Sequence, residues 1–434
     1  MSSISNPGLV RAIGRWSLAA LVINSVIGSG IFGLPSLIAG LLGWLSPLAY
    51  LLAAIGNGVI MACFAELASR FHAAGGVYLY AREALGQFAG IQIGWMSWLV
   101  RITSAAANAN LFAIYLAQFW PRAQEPMLRA GVLGALLGFL ALVNYRGVRS
   151  GTNVSNFFTL AKLAPLAIFL VGGTIFVLWR HPTAPPLPTT ATSAQWVEAV
   201  LLLAFAYGGY DGAMMPLGEA KNPRRDAPFA LFTAMVVLFV IYAGVQVLVL
   251  KILPNPAGSQ RPLADAARVF MGGPGAVLMG VGALVSIYGY LSANVLNTPR
   301  LTFALAERGD FPRFFAWLHP RYRTPYVSIV AFVALVWVLA VLGNFRWNAL
   351  LSAVTRLFTY GSACLALMVL RRTQSEAPPF RLPAGDLFAA LGLAFCVGLM
   401  TRMGRAELLI VVATSVIALV NWLWARKTKT AVLT

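Results

Sequence analysis

Gly28-Ser29-Gly30 interrupts the first long apolar stretch of this 434-residue chain, and Gly208-Gly209-Tyr210-Asp211-Gly212 interrupts the sixth. At bilayer depth, backbone that leaves the helix is tolerated only where its freed N–H and C=O groups face protein or a water-filled cavity. Breaks at matching places in two halves of a chain mark the solute site of a transporter. The chemistry on offer is reversible binding by unpaired backbone groups, with no bond made or broken. For either glycine pair alone, the competing reading is close helix packing through small residues. The match between the two, each with a proline (Pro35, Pro216) about seven residues on, weighs against that reading.

Ionisable residues inside the apolar stretches are the second chemical signal. Arg101, Asp211 and Arg356 lie within them, as does Lys162 in Asn156-Phe157-Phe158-Thr159-Leu160-Ala161-Lys162-Leu163. Each costs about 2.5–3.5 kcal/mol at a helix centre on insertion scales, so each needs a partner or a purpose. Arg101 and Arg356 are expected to bond carbonyls in the protein interior, in preference to pairing with Asp211 or with an acidic substrate. Glu66, near the end of the second stretch, is expected to brace inner loops.

The elements that must position these residues follow from composition. Hydrophobic residues make up 59% of the chain and charged residues 10%, against about 45–50% and about 25% in soluble domains. A spanning helix needs about 20 apolar residues, which gives roughly twelve spans: 16–41, 48–70, 87–119, 128–144, 153–179, 195–218, 229–253, 275–305, 325–342, 347–370, 387–400 and 407–424. The fold class is an all-α integral membrane protein. Spans one to five (16–179) and six to ten (195–370) each open with a glycine-interrupted helix. An odd number of spans per unit sets the two units in opposite orientation, the inverted-repeat plan, and 387–424 adds two helices. The whole is one transmembrane domain.

The net charge of +19 would suggest nucleic acid in a soluble protein, but topology absorbs it. With both termini cytoplasmic, the basic residues concentrate on cytoplasmic segments, as the positive-inside rule expects. Blocks such as Lys221, Arg224 and Arg225 then sit against anionic lipid headgroups. The 71–85 segment, with Val77-Tyr78-Leu79-Tyr80, suits an interfacial connector, and a short helix over 263–271 would cover the outer face. Cys63, Cys364 and Cys396 lie within spans as small packing residues. His72, His181 and His319 fall in loops, no metal-spaced cluster, nucleophile elbow or phosphate loop occurs, and nothing resembles a selectivity filter. No metal or cofactor is expected. Enzyme and channel readings fare poorly, and a membrane sensor that binds a solute without moving it stays open.

Ile27-Gly28-Ser29-Gly30-Ile31-Phe32 resembles the first-helix motif of the amino acid, polyamine and organocation (APC) superfamily. Glu66-Leu67-Ala68-Ser69-Arg70 leading to Gly75-Gly76-Val77-Tyr78 is similar to its second-helix signature, with His72 where a proline is usual. Phe205 to Asp211, followed by Glu219-Ala220-Lys221-Asn222-Pro223, is similar to its sixth-helix motif. The run from Pro299-Arg300 through Asp310 to Thr324-Pro325 resembles its eighth-to-ninth connection. The motifs span most of the chain in order and specify a family and fold without a substrate.

The resemblance implies a LeuT-like fold of two inverted five-helix repeats plus two helices, in the cell membrane, with an amino acid held between broken helices one and six. N–H groups of Gly28, Ser29 and Gly30 at a half-helix N-terminus would receive an α-carboxylate. Carbonyls at Val26, Phe205 and Gly208, beside Ile27, would receive the α-ammonium, and Phe205 corresponds to an aromatic gate. Lys162 matches the position where sodium-independent members place an ammonium near the site that sodium fills in sodium-coupled relatives. It would carry a proton, or else stand as a fixed ammonium on carbonyls of the first helix. Asp211 matches an acidic position and could bind a cationic side chain, hold helix one, titrate, or satisfy unwound backbone. The implied function is secondary transport by proton-coupled import of neutral L-amino acids; uncoupled exchange, or transport of cationic amino acids or polyamines, are the alternatives.

Overall fold

A computed structural model describes residues 14–71, 75–146, 152–182, 187–213, 222–374, 378 and 380–430, and over these residues the chain is helical without a strand. The first apolar stretch divides into α1 (Arg15–Val26) and α2 (Gly30–Leu42). Then come α3 (Ser46–Arg70), a short connecting helix α4 (Gly76–Leu85), α5 (Gln87–Leu116), α6 (Pro126–Tyr145) and α7 (Thr152–Arg180). The sixth stretch divides into α8 (Ser193–Ala206) and α9 (Tyr210–Ala213), and α10 (Pro223–Ile252) follows. Pro216, Lys221 and His72 lie outside the described residues. The remaining elements are α11 (Pro262–Glu307), α12 (Tyr326–Leu342), α13 (Phe345–Thr373), α14 (Gly385–Met400) and α15 (Arg405–Thr430).

Eight helical stretches among the described residues are long and apolar enough to cross a membrane, and α12 and α14 are shorter apolar helices. Of the four fewer than twelve, two are these shorter helices, one is α8, cut short by its break, and one comes from α2 and α3 counting as a single stretch, Gly30–Arg70. The chain is a multi-pass membrane protein. The short helix expected over 263–271 is present: it runs up to Gly272, whose φ 69° and ψ −155° are non-helical, and the eighth span follows from there, the two together making α11. A side chain there would be strained, so glycine lets the helix turn where Pro274 removes a hydrogen-bond donor.

Three packings set the site. α13 lies along α5, α1 against α10, and α2 against α8. Ser104 and Ser352 meet hydroxyl to hydroxyl at 2.6 Å between α5 and α13, small residues that let the two backbones approach. The face on which the chain begins is tied by two fully buried carboxylates. Glu66 accepts from Arg70 at 2.7 Å, Arg371 at 2.5 Å and the Leu382 N–H at 2.9 Å. Asp310 accepts from the Tyr78 hydroxyl, Arg82 and, at 2.8 Å, Gln87. Tyr78 and Tyr80 are therefore buried in protein, not spread at a lipid interface, because α4 folds under the bundle and against α5 and α13.

Candidate solute-binding site

At the first break, Ile27 leaves the helix with ψ 103°. Its N–H still closes α1 on the Ile23 carbonyl at 3.0 Å, but its own carbonyl is freed. Lys162 of α7 takes that carbonyl at 3.1 Å and the Asn24 carbonyl at 2.6 Å. The ammonium thus caps the C-terminal end of α1, where the helix dipole favours a cation. On the other side of the gap, the Ser29 carbonyl starts α2 by accepting from the Phe32 and Gly33 N–H groups at 3.1 and 3.0 Å. The Ser29 N–H donates to Asn108 Oδ1 at 3.2 Å, and Asn108 is oriented by its own bond to the Ser104 carbonyl at 2.8 Å. The buried Ser29 hydroxyl has no partner among the described residues. Gly30 is a contact glycine: a Cβ there would stand 2.9 Å from Ala206 Cα.

At the second break, α8 stops at Ala206. The Tyr207 N–H returns to the Leu203 carbonyl at 2.9 Å, and the Gly208 N–H to the Phe205 carbonyl at 3.3 Å. Gly209 takes φ 111°, a backbone that suits glycine, and presses so close to the Ser25 carbonyl that a Cβ would come within 2.9 Å. Its N–H donates to the Tyr360 hydroxyl at 3.4 Å. The two breaks therefore touch. The Tyr242 hydroxyl lies between them, 3.4 Å from the Val26 carbonyl and 3.2 Å from that of Ala206, with one proton to share.

Asp211, in the first turn of α9, faces both arginines. Arg356 Nη1 stands 3.4 Å from Oδ1 and Arg101 Nη2 3.6 Å from Oδ2, with the Tyr360 hydroxyl donating to Oδ1 at 3.4 Å. The expectation of carbonyl partners for the arginines does not hold. Carbonyls of α5 and α13 are occupied by their own helical bonds, whereas the second break brings the Asp211 carboxylate within reach of both guanidinium groups. Arg356 is buried. It also donates to the Ser104 hydroxyl at 3.3 Å and the Tyr360 hydroxyl at 3.2 Å, and its Nε has no partner among the described residues. Gly208 makes room for it, since a Cβ would fall 2.5 Å from the guanidinium carbon.

Phe205, buried on α8, meets the Phe345 ring edge to face with centroids 6.3 Å apart. Beyond this ring pair, toward the face opposite the chain start, Arg346 pairs with Glu198 while both stay partly exposed. Arg129 ties Asn110 to the Ala340 and Gly343 carbonyls, at 2.8 and 2.9 Å for the latter two. Asn108, Tyr242, Tyr360 and this outer set are not among the expected site residues. Asn108 had a signal, an amide standing among alanines in the middle of a span. The two tyrosines had none, being aromatics in apolar helices.

Comparison with known proteins matches residues 13–422 to the model of a family described as amino acid permease. The chain is similar to the serine/threonine exchanger SteT of Bacillus subtilis, 28% identical over 89% of this chain and 90% of that protein. It is also similar to the branched-chain amino acid permease BcaP of the same organism, 24% identical over 96% and 94% of the two chains. An arginine/agmatine antiporter of Chlamydia pneumoniae is 25% identical over 91% of this chain and 86% of its own.

Proposed function

Because the chain belongs to the amino acid permease family, we propose that it is a secondary transporter that moves amino acids across the cell membrane by alternating access. The observation that carries this is the meeting of the two breaks, Gly209 against the Ser25 carbonyl, beside unpaired polar groups. In this reading the α-carboxylate takes the N–H groups of Gly28 and Gly30 and the Ser29 hydroxyl, since the Ser29 N–H is engaged by Asn108. The α-ammonium takes second lone pairs on the carbonyls of Val26, Ile27, Phe205 and Gly208. Phe205 seals the pocket with Phe345. The helices assemble as twelve spans in two inverted repeats, 16–179 and 195–370, plus 387–424, with both termini cytoplasmic. A cationic side chain finds no free acceptor at Asp211, which already faces two guanidinium groups. Neutral and acidic L-amino acids remain as cargo.

Lys162 supplies the coupling. Its ammonium holds the end of α1 through two carbonyls, so losing the proton frees α1 to move and regaining it resets the latch. Import is then driven by protons, and sodium is dispensable. Exchange without ion coupling is the second reading. It is favoured by the same two bonds, which hold the charge as a fixed peg, and by relatives named as an exchanger and an antiporter. Uptake into reconstituted vesicles, with proton, sodium and counter-substrate gradients imposed separately, distinguishes them, and uptake itself excludes a sensor. Lys162→Ala is expected to lose gradient-driven uptake. Lys162→Arg keeps a charge that cannot be released and is expected to lose it too. Wild-type gradient dependence in Lys162→Arg would rule out the proton carrier.

A further inference from the structure

Three cations, Arg101, Lys162 and Arg356, stand at the two breaks, and among the described residues the carboxylate that faces the arginines is Asp211. Arg101 stands at the middle of α5 and Arg356 near the middle of α13. Both reach the single carboxylate of Asp211 at the second break, leaving one guanidinium charge in excess there, with Lys162 at the first break. Among the described residues no second carboxylate faces the two guanidinium groups. Arg101 touches Asp211 only at 3.6 Å, beyond hydrogen-bond distance, and its side chain is 20% exposed, whereas its α5 neighbours Val100 and Ile102 are buried. Arg356, 95% buried, keeps an Nε donor without a partner among the described residues. Gly208 is required for that guanidinium to stand beside the break at all.

We propose that Arg101 and Arg356 form a receptor for a carboxylate on the cargo's side chain, so that the substrates are acidic amino acids. This rests on the reading of the two breaks as an amino acid site. An excess cation held out of water is costly, and an anionic cargo removes the excess as it binds. A planar guanidinium fork matches a carboxylate with paired, charge-assisted hydrogen bonds. Asp211 holds the two arginines apart from each other and fixes their direction. A cargo with an uncharged side chain leaves the excess charge in place, and one with a basic side chain adds to it.

Isosteric pairs test this directly. Binding of labelled L-glutamate against L-glutamine, and L-aspartate against L-asparagine, is measured on the reconstituted protein by scintillation proximity, with vesicle uptake in parallel. Wild type is expected to favour each acid over its amide by about tenfold to a hundredfold, the range for hydrogen bonds to a charged group. Arg101→Gln is expected to bring the acid-to-amide ratio toward one, and Arg101→Lys to restore part of it. Wild type that binds glutamine as tightly as glutamate overturns the receptor while amino acid transport stands. Protein that takes up none of the four, nor leucine, serine or arginine, overturns the transport reading itself. An unchanged ratio in folded Arg101→Gln also overturns the assignment of Arg101.

Discussion

At the scale of single residues, the site depends on glycines that differ in what they face. A Cβ at Gly28 would meet Tyr290 at 3.5 Å, an ordinary contact, whereas one at Gly30 would meet Ala206 Cα at 2.9 Å, a backbone atom that cannot step aside. Gly28→Ala is therefore expected to keep the melting temperature of wild type. Gly30→Ala is expected to push α2 off α8 and cost about 1–3 kcal/mol, as overpacking does. Differential scanning fluorimetry of the two purified variants checks this, and equal melting temperatures would refute the close approach. Both breaks were legible in the sequence because glycine runs inside apolar stretches have few explanations. The partners of Asp211 were not. Arg101 and Arg356 lie 110 and 145 positions away from it, and no periodicity links residues at such separation. Lys162 was legible as a costly charge, but its two carbonyl partners emerge only when α7 packs near α1.

At the scale of elements, α4 was legible as an interfacial connector, and its aromatic residues were the reason. The fold uses those aromatics differently, to carry a hydrogen-bonded knot at Asp310. Burial, and then the Asp310 carboxylate beside it, pushes the Tyr78 hydroxyl up to about 12. Tyr78 therefore keeps the proton that it donates to Asp310, and its contribution is full below its ordinary value near 10 and lost as pH rises toward 12. Asp310→Asn is expected to destabilise the protein by about 1.5–3 kcal/mol, the loss of hydrogen bonds to a buried charged group. Asp386→Asn serves as the control. Its bond to Arg371 is 3.5 Å long and the carboxylate is exposed, so little change is expected. Thermal unfolding in detergent compares them, and an Asp386 variant as unstable as the Asp310 variant would contradict the assigned roles. The bend at Gly272 was legible: a short helix was expected over 263–271, and the chain leaves helical geometry one residue later, where Gly272-Gly273-Pro274 punctuates it.

At the scale of the whole molecule, the two faces are closed by different physics. Glu66 and Asp310 lock the face of the chain start from within, each fully buried. The opposite face is closed over Phe205 and Phe345 by Arg346 and Glu198, whose side chains are 51% and 28% exposed. Ionic strength reaches only the second of these. The screening length falls from about 10 Å at 0.1 M salt to about 3 Å at 1 M, and charges open to solvent lose their attraction while buried ones keep it. Concentrated salt should thus bias the empty carrier toward opening on the Arg346 side. A single cysteine placed at Gly28, at the first break, where a Cβ makes only an ordinary 3.5 Å contact with Tyr290, would report this through its rate of labelling by a water-soluble maleimide in a cysteine-free background. The rate is expected to rise with potassium chloride concentration in the otherwise wild-type protein and to lose that dependence when Glu198 is replaced by Gln. For such a carrier, the saltiness of the surrounding medium would itself help decide which way the empty protein faces.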